Sequence, residues 1–252
     1  MSNKTWQKWI LGAVTVGAIL MVFRLLPIPQ DSNYHNFSDG RTLFGLANLW
    51  NVISNAPFVF VGGFGLSRLS HLSPTAPRVA YIVFCIGVML VGLGSGYYHY
   101  SPSSQALVWD RLPMTIAFMA FFSMVVQDRV SQRLGSGLLW PLIVGGAASI
   151  RYWHWSELQG EGDLRAYVLI QFLPMLLIPL MLMLFSGKAL NTAMLWATIG
   201  TYASSKVAEH FDGQILDALG FISGHSIKHL LGALAVFWTV IAFRRPAAGI
   251  RG

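Results

Sequence analysis

The amino-acid sequence predicts an all-α, polytopic membrane protein, and three observations carry that prediction. Hydrophobic residues make up 54% of the 252 positions and charged residues only 11%, with a mean hydropathy of +0.56, too apolar for an ordinary water-soluble domain. The apolar residues come in successive blocks, each long enough to cross a hydrocarbon layer of about 30 Å. The blocks are also far longer than barrel strands, and in lipid a backbone must satisfy its own polar groups, so each block is expected to be a helix.

Eight spans follow one another along the chain. The first, 9–27, has an unbroken apolar stretch from Trp9 to Phe23 that follows Lys4 and Lys8 and stops at Arg24, as the start of a signal peptide does. It lacks a convincing small-residue cleavage site, so an uncleaved anchor over 1–28 is expected, with Arg24 snorkelling to the far interface. The remaining seven spans, 43–67, 79–99, 105–126, 138–153, 164–186, 189–209 and 222–243, are read as one bundle over 29–252, because neither an internal repeat nor a low-complexity linker divides them.

The formal charge of +7 does not point to nucleic acid, since the 17 Lys and Arg are scattered through short connections and form no basic block with interleaved aromatics. Cys85 is alone, so no intramolecular disulfide exists; it reads as a small buried hydrophobe. The basic residues do orient the bundle. Lys4, Lys8, Arg68, Arg78, Arg129, Arg133, Lys188, Arg244, Arg245 and Arg251 fall on one side, which the positive-inside rule makes cytoplasmic, with both termini. The other side has Arg41, Arg151 and Arg165 but also most of the acids, from Asp31 and Asp39 to Glu157, Glu161, Asp163, Asp212 and Asp217.

Parity then gathers a set of polar residues. The end of an odd span and the start of an even one share a membrane face, so Ser95 and His99 in GSGYYHY, Asp110 and Arg111 in LVWDRLPM, and His225 and His229 in GHSIKHLLG all lie at the external ends of their helices. Ionisable groups in a bilayer are costly unless paired, hydrated or metal-bound, which makes them functional candidates. Four residues apart, His225 and His229 share a helix face about 6 Å apart along the axis, where two imidazoles can hold one cation. His99 would complete a three-histidine zinc site with one open position, the arrangement of a hydrolytic metal. Asp110 could then hold the water or act as general base, and Ser95 could donate to an oxyanion. Lys228 is expected to point away, toward the headgroup layer.

Each residue also has a plainer explanation. The histidine pair could make interhelical hydrogen bonds, Ser95 could be a small packing residue, and Asp110 could pair with Arg111 or cap its helix. None of these accounts for the whole set.

Ser95-x-x-x-His99, Asp110 eleven residues later, and His225-x-x-x-His229 in the last span together resemble the alkaline ceramidase family and the wider CREST superfamily, which includes adiponectin-receptor-like proteins. The resemblance covers roughly residues 31–252. It implies a seven-helix intramembrane amidase that hydrolyses the N-acyl bond of a ceramide to a fatty acid and a sphingoid base, preceded here by an extra N-terminal transmembrane helix. It also implies that His99, His225 and His229 ligate zinc, that Asp110 and Ser95 handle the water and the oxyanion, and that LWNVISNAPF, with Asn51 and Asn55, is the first core helix. Eukaryotic members bind calcium through an acidic N-terminal segment. In this chain Asp31 and Asn36 stand in DSNYHNFSDGR, but Tyr34 and Asn48 occupy the places of two glutamates, which speaks against calcium. The extra helix suggests a bacterial-type member in an inner membrane, acting on a membrane lipid that need not be ceramide itself.

Further polar positions are expected to be peripheral. Glu209, His210 and Asp212 either orient a ligand imidazole or solvate a helix end, and Asp39 and Arg41 could pair near the entrance. His35, His71, His154, Asp163 and Arg165 are read as solvated loop residues, and Tyr97, Tyr98, Tyr152, Trp153 and Trp155 as an interfacial aromatic belt. MLLIPLMLML is a packing or lipid-facing run that could shape an acyl groove. Two other function classes stand beside the hydrolase: a non-catalytic receptor or structural protein of the same superfamily, and a proton-coupled transporter, against which the one-sided placement of the polar cluster argues.

Overall fold

A computed structural model describes residues 5–243. Lys4, Arg244, Arg245 and Arg251, which contribute to the charge asymmetry, lie outside the described residues. The described chain is helical, with two isolated bridges, Leu43 to Leu46 and Leu190 to Phe243, in its connections. Its helices are α1 (Thr5–Arg24), α2 (Leu49–Ile53), α3 (Ala56–Ser67), α4 (Arg78–Tyr100), α5 (Ser104–Arg129), α6 (Gln132–Leu158), α7 (Arg165–Leu184), α8 (Thr192–His210), α9 (Asp212–Leu219) and α10 (Gly224–Ile241).

Among the described residues, seven helical stretches are long and apolar enough to cross a membrane, with α2 and α3 together making one of them over Leu49–Ser67. The protein is an integral, multi-pass, all-α membrane protein. Helix α8 falls outside that group because Lys206 and Glu209 lie in its last turns, yet its 19 residues reach about 28 Å and it packs along α10. It is the seventh span of the sequence reading, 189–209. Two connections differ from expectation. Helix α9 is an extra short helix on the loop between α8 and α10, closed by Gly220 in the left-handed conformation. The second span is broken and starts late: Phe44 and Asn48 adopt positive φ in a turn before α2, and the chain steps sideways at Ser54 and Asn55. Pro57 in the first turn of α3 explains the break, because it has no N–H to continue the α2 ladder. Asn55 N–H donates to the Val52 carbonyl across the step, so little backbone is left unpaired in the membrane.

Helices α3, α4, α5 and α6 pack in sequence, and α10 closes the bundle between α3 and α8. Close approach is bought by small residues. A Cβ at Gly94 would run into the Trp109 carbonyl of α5, and one at Gly224 into the Ala208 carbonyl of α8, so both helices that carry site residues touch neighbours backbone to backbone. Gly94→Ala is therefore expected to cost about 1–3 kcal/mol and to lower the unfolding temperature in detergent, with Gly96→Ala, where space is open, as the mild comparison. The main apolar cluster fills the half of the bundle away from the site, around Tyr81, Cys85, Met124 and Met181. A smaller one, around Tyr98, Leu107 and Trp153, lies at the site end.

Helix α1 lies at the edge of this packing, with Leu11 and Val14 against the main cluster and Val22 its one buried residue, and leans chiefly on α7, where Gln7 Nε2 donates to the Leu184 carbonyl. After α1 the chain crosses the site end of the bundle as a strap over residues 28–41. Leu164 N–H and the Arg165 guanidinium hold its start at the Ile28 and Leu25 carbonyls. Arg41 holds its end by donating to the Gly220 and Phe221 carbonyls and to Asp39 at 2.7 Å, an ion pair that keeps the Asp39 carboxyl below its ordinary range. At the opposite end, Arg129 is buried rather than snorkelling. It pairs with Asp128 at 3.1 Å and donates to the Leu190 carbonyl, while Asp128 accepts from Lys188 and Ala189 N–H, clamping the α7 to α8 connection.

Candidate metal centre

His99 sits in the last turn of α4, and His225 and His229 in the first turns of α10. All three are buried, and one ligand nitrogen from each lies within 4.8 Å of the others. His225 Nε2 and His99 Nε2 are 3.3 Å apart. Among the described residues this is the group of three His, Cys, Asp or Glu side chains that could hold a metal ion. The α10 turn is built by Ser223, whose side chain accepts from Ser226 N–H, and by Asp212, which accepts from His225 N–H at 2.7 Å.

The broken second span supplies what orients the cluster. His229 Nδ1 is held between Ser54 Oγ at 2.8 Å and Asn55 Nδ2 at 3.3 Å; with the Ser54 hydroxyl donating to the Asn51 carbonyl at 3.2 Å, Nδ1–H would donate to Ser54 and Nε2 would be left for a ligand. Asn55 Nδ2 donates to the same Asn51 carbonyl at 2.7 Å. Asn51 in turn accepts from Ser226 Oγ and donates to the Asp39 carbonyl, tying α2, α10 and the strap together. Asn48 Nδ2 donates to the His99 carbonyl. Phe37 of the strap covers the cluster, its ring 4.6 Å from those of both His99 and His225.

The donor set fits a metal ion. Three imidazoles, without a carboxylate hydrogen-bonded among them, converge in a buried space, with His99 Nε2 and His225 Nε2 3.3 Å apart. A cation is what such a set accommodates.

The histidines form one wall of a cavity of about 470 Å³ between α3, α4, α5, α7, α8 and α10. Asp110 and Ser95 line the same cavity, on the helices α5 and α4 that meet closely at Gly94. Away from the histidines the walls turn apolar, with Phe84, Val88, Phe121 and Ile178. The structure thus brings together all five residues that the sequence singles out: His99, His225, His229, Asp110 and Ser95.

Several neighbouring expectations are corrected. Arg111 does not pair with Asp110: its guanidinium is stacked between Trp153, Tyr167 and Tyr34, at 4.4, 5.0 and 5.4 Å from the ring centroids, and donates to Gln30 Oε1. Lys228 does not leave for the headgroup layer; it binds Glu209 at 2.6 Å and lines the cavity. Trp153 and Tyr98 are fully buried and no part of an aromatic belt, whereas Tyr97, Tyr152 and Trp155 are exposed. Asp163 is buried against Arg165 rather than solvated, its carboxyl held below the ordinary range by that guanidinium. His35 is no free loop residue either, because it bridges Tyr98 OH at 2.9 Å and Ser104 Oγ at 3.2 Å. Asp31 caps the short helix Ser32–His35, Tyr34 lies on Arg111 and Asn48 binds the His99 carbonyl, so the strap residues compared with a calcium site have other partners.

Burial, and next the charge of Arg111, lower the pKa of His35, so the folded strap favours the neutral ring. A base whose folded pKa is depressed costs stability below its ordinary value of 6.5 and nothing well above it. The protection of the amides at residues 33–38, taken relative to their intrinsic exchange at each pH, is expected to fall as pH falls from 7.5 to 5.5, and His35→Gln should flatten that dependence; an equal fall in both proteins would exclude His35 as its origin.

Sequence reasoning missed Ser54 and Phe37. Ser54 lies in the quoted LWNVISNAPF, but nothing in its spacing tells that the helix breaks there. No curated protein matches the chain. The family model described as Ceramidase matches residues 42–245, most of the chain and every one of the five site residues. The protein belongs to the ceramidase family.

Proposed function

We propose that this ceramidase-family protein is a zinc-dependent intramembrane hydrolase that cleaves the amide bond of a ceramide-like N-acyl lipid to a fatty acid and an amine. The observation that carries the reading is the three-histidine cluster at the polar head of an apolar cavity, with a carboxylate and a hydroxyl on the adjoining wall. Family membership supports the reaction class. The 3.3 Å between His99 Nε2 and His225 Nε2 supports zinc, since two nitrogens about 2.0–2.1 Å from a tetrahedral zinc sit about that far apart.

His99, His225 and His229 hold the ion, and Ser54 keeps the His229 ring in the tautomer that offers Nε2. Bound there, zinc supplies Lewis acidity to the scissile carbonyl and makes a water acidic enough to deprotonate near neutral pH. Asp110 takes the proton from that water and later returns it to the departing nitrogen. Ser95, which lines the same cavity, would donate its hydroxyl to the carbonyl oxygen as charge develops there. The acyl chain occupies the apolar reach of the cavity, and Phe37 keeps bulk water from the histidines. The reading places the site near the external face of an inner membrane, with both termini cytoplasmic, and treats 29–252 as the catalytic domain behind a signal-anchor helix over 1–28.

The direct test is to incubate the zinc-loaded protein with a membrane-lipid extract and follow released fatty acids and amines by mass spectrometry. Turnover that persists after the metal is stripped would overturn the mechanism. Ser54→Ala should weaken zinc affinity by about 10–100-fold while leaving the fold intact, as measured by competition with a chelator. Unchanged affinity would show that Ser54 does not orient the ligand.

A further inference from the structure

The lining of the cavity is more basic than hydrolysis of a neutral lipid requires. Three cations, Arg111, Lys206 and Lys228, line its polar end against two carboxylates, Asp110 and Glu209. One carboxylate, Glu209, is shared by both lysines, at 2.7 Å from Lys206 and 2.6 Å from Lys228. Arg111, buried to within 5% of full coverage, has no carboxylate partner: three aromatic rings and Gln30 surround it, and its second terminal nitrogen has no hydrogen-bond partner. In a membrane interior an uncompensated guanidinium is costly, and the ordinary remedy is an anion. Aromatic faces ease the cost without supplying a counter-charge. Arg111 and Lys228 line the same cavity as Asp110 and the three histidines.

From this we infer that the substrate is an N-acyl lipid whose headgroup carries a negative charge, a phosphate or a carboxylate, held between Arg111 and the Lys228 ammonium while its acyl chain lies in the apolar part of the cavity. The inference rests on the proposed hydrolase reading for its location and adds the substrate class. Arg111 and Lys228 are then specificity-determining residues: the guanidinium supplies a charge that no carboxylate neutralises by a hydrogen bond, and the lysine can trade part of its bond to Glu209 for the headgroup. Gln30 and Tyr34 place the strap in contact with the same group, so the strap would sense headgroup occupancy.

The test compares three lipids with the same acyl chain on the zinc-loaded protein in nanodiscs: a neutral ceramide, its 1-phosphate, and an N-acyl amino acid with a free carboxylate. Hydrolysis is followed by mass spectrometry, and retention of each lipid by native mass spectrometry of the same protein. The anionic lipids should be retained and cleaved about tenfold or more better than ceramide, with the phosphate and carboxylate arms telling which anion is preferred. Arg111→Gln and Lys228→Gln should each erase most of that preference, raising KM for the anionic lipids far more than for the neutral one. Equal or better retention and cleavage of ceramide, or an equal loss for all lipids in both variants, would overturn the inference. Retention of the anionic lipids that depends on Arg111 and Lys228, without cleavage of any lipid, would uphold the inference and refute the hydrolase.

Discussion

Replacing His229 with alanine is expected to remove the zinc and all measurable amidase activity together. His229 is the ligand most firmly held by the fold, because Ser54 fixes one ring nitrogen and the first turns of α10 are tied down through Ser223, Asp212 and Asn51. Two imidazoles do not make a closed tetrahedral set, so the loss of one should lower zinc affinity by orders of magnitude. The same result is expected for His225→Ala and His99→Ala. The measurement is zinc per chain by elemental analysis, alongside turnover. Near-stoichiometric zinc in all three variants would mean that the histidines serve helix packing and that the ion, if any, sits elsewhere. Because each ring is buried, a retained unfolding transition in the variant is needed to separate lost metal from lost fold.

The second large effect is expected at Asp110. Asp110→Asn keeps the shape but cannot act as a base, so turnover should fall by about 10²–10⁴-fold, the usual contribution of a positioned base. Zinc content should stay near that of the parent. That pairing of outcomes separates the hydrolase from a receptor or structural role within the same superfamily, which would need the cluster but not the carboxylate. Asp110→Asn with undiminished turnover would remove the aspartate from the mechanism while leaving the metal centre standing. Ser95→Ala should have a smaller effect, since it removes one hydrogen-bond donor and leaves the base in place.

Much of this site was legible without coordinates because a membrane makes one-dimensional information unusually strong. Once the spans are counted, parity alone puts the end of α4 and the starts of α5 and α10 at one face, and helical spacing puts His225 and His229 on one side of α10. Polar residues in such stretches are rare enough that few others compete for the role. Where the sequence reading failed, the cause was side-chain direction. Arg111 looked like the natural partner of Asp110, but adjacent residues on a helix point about 100° apart, and the guanidinium turned to Trp153, Tyr167 and Tyr34. Lys228 was assigned to the headgroup layer because lysines near helix ends snorkel; Glu209, arriving on α8, gave it a nearer partner. Tyr97 and Tyr98 read alike in the sequence, yet one faces lipid and the other is sealed under the strap.

By itself, the sequence determined the solvent, the class of fold, the number and order of the spans, and the five residues of the candidate site, since hydrophobic length and residue spacing are local properties that a bilayer constrains to a few outcomes. Only the tertiary structure decided how that site is finished. The break after α2 that delivers Ser54 to His229, the strap that lays Phe37 over the histidines, and the three cations gathered around one end of an apolar cavity all depend on contacts between segments far apart in the chain. Packing chooses among many such contacts by shape and by the need to satisfy every buried polar group, and no spacing rule within a single helix contains that choice.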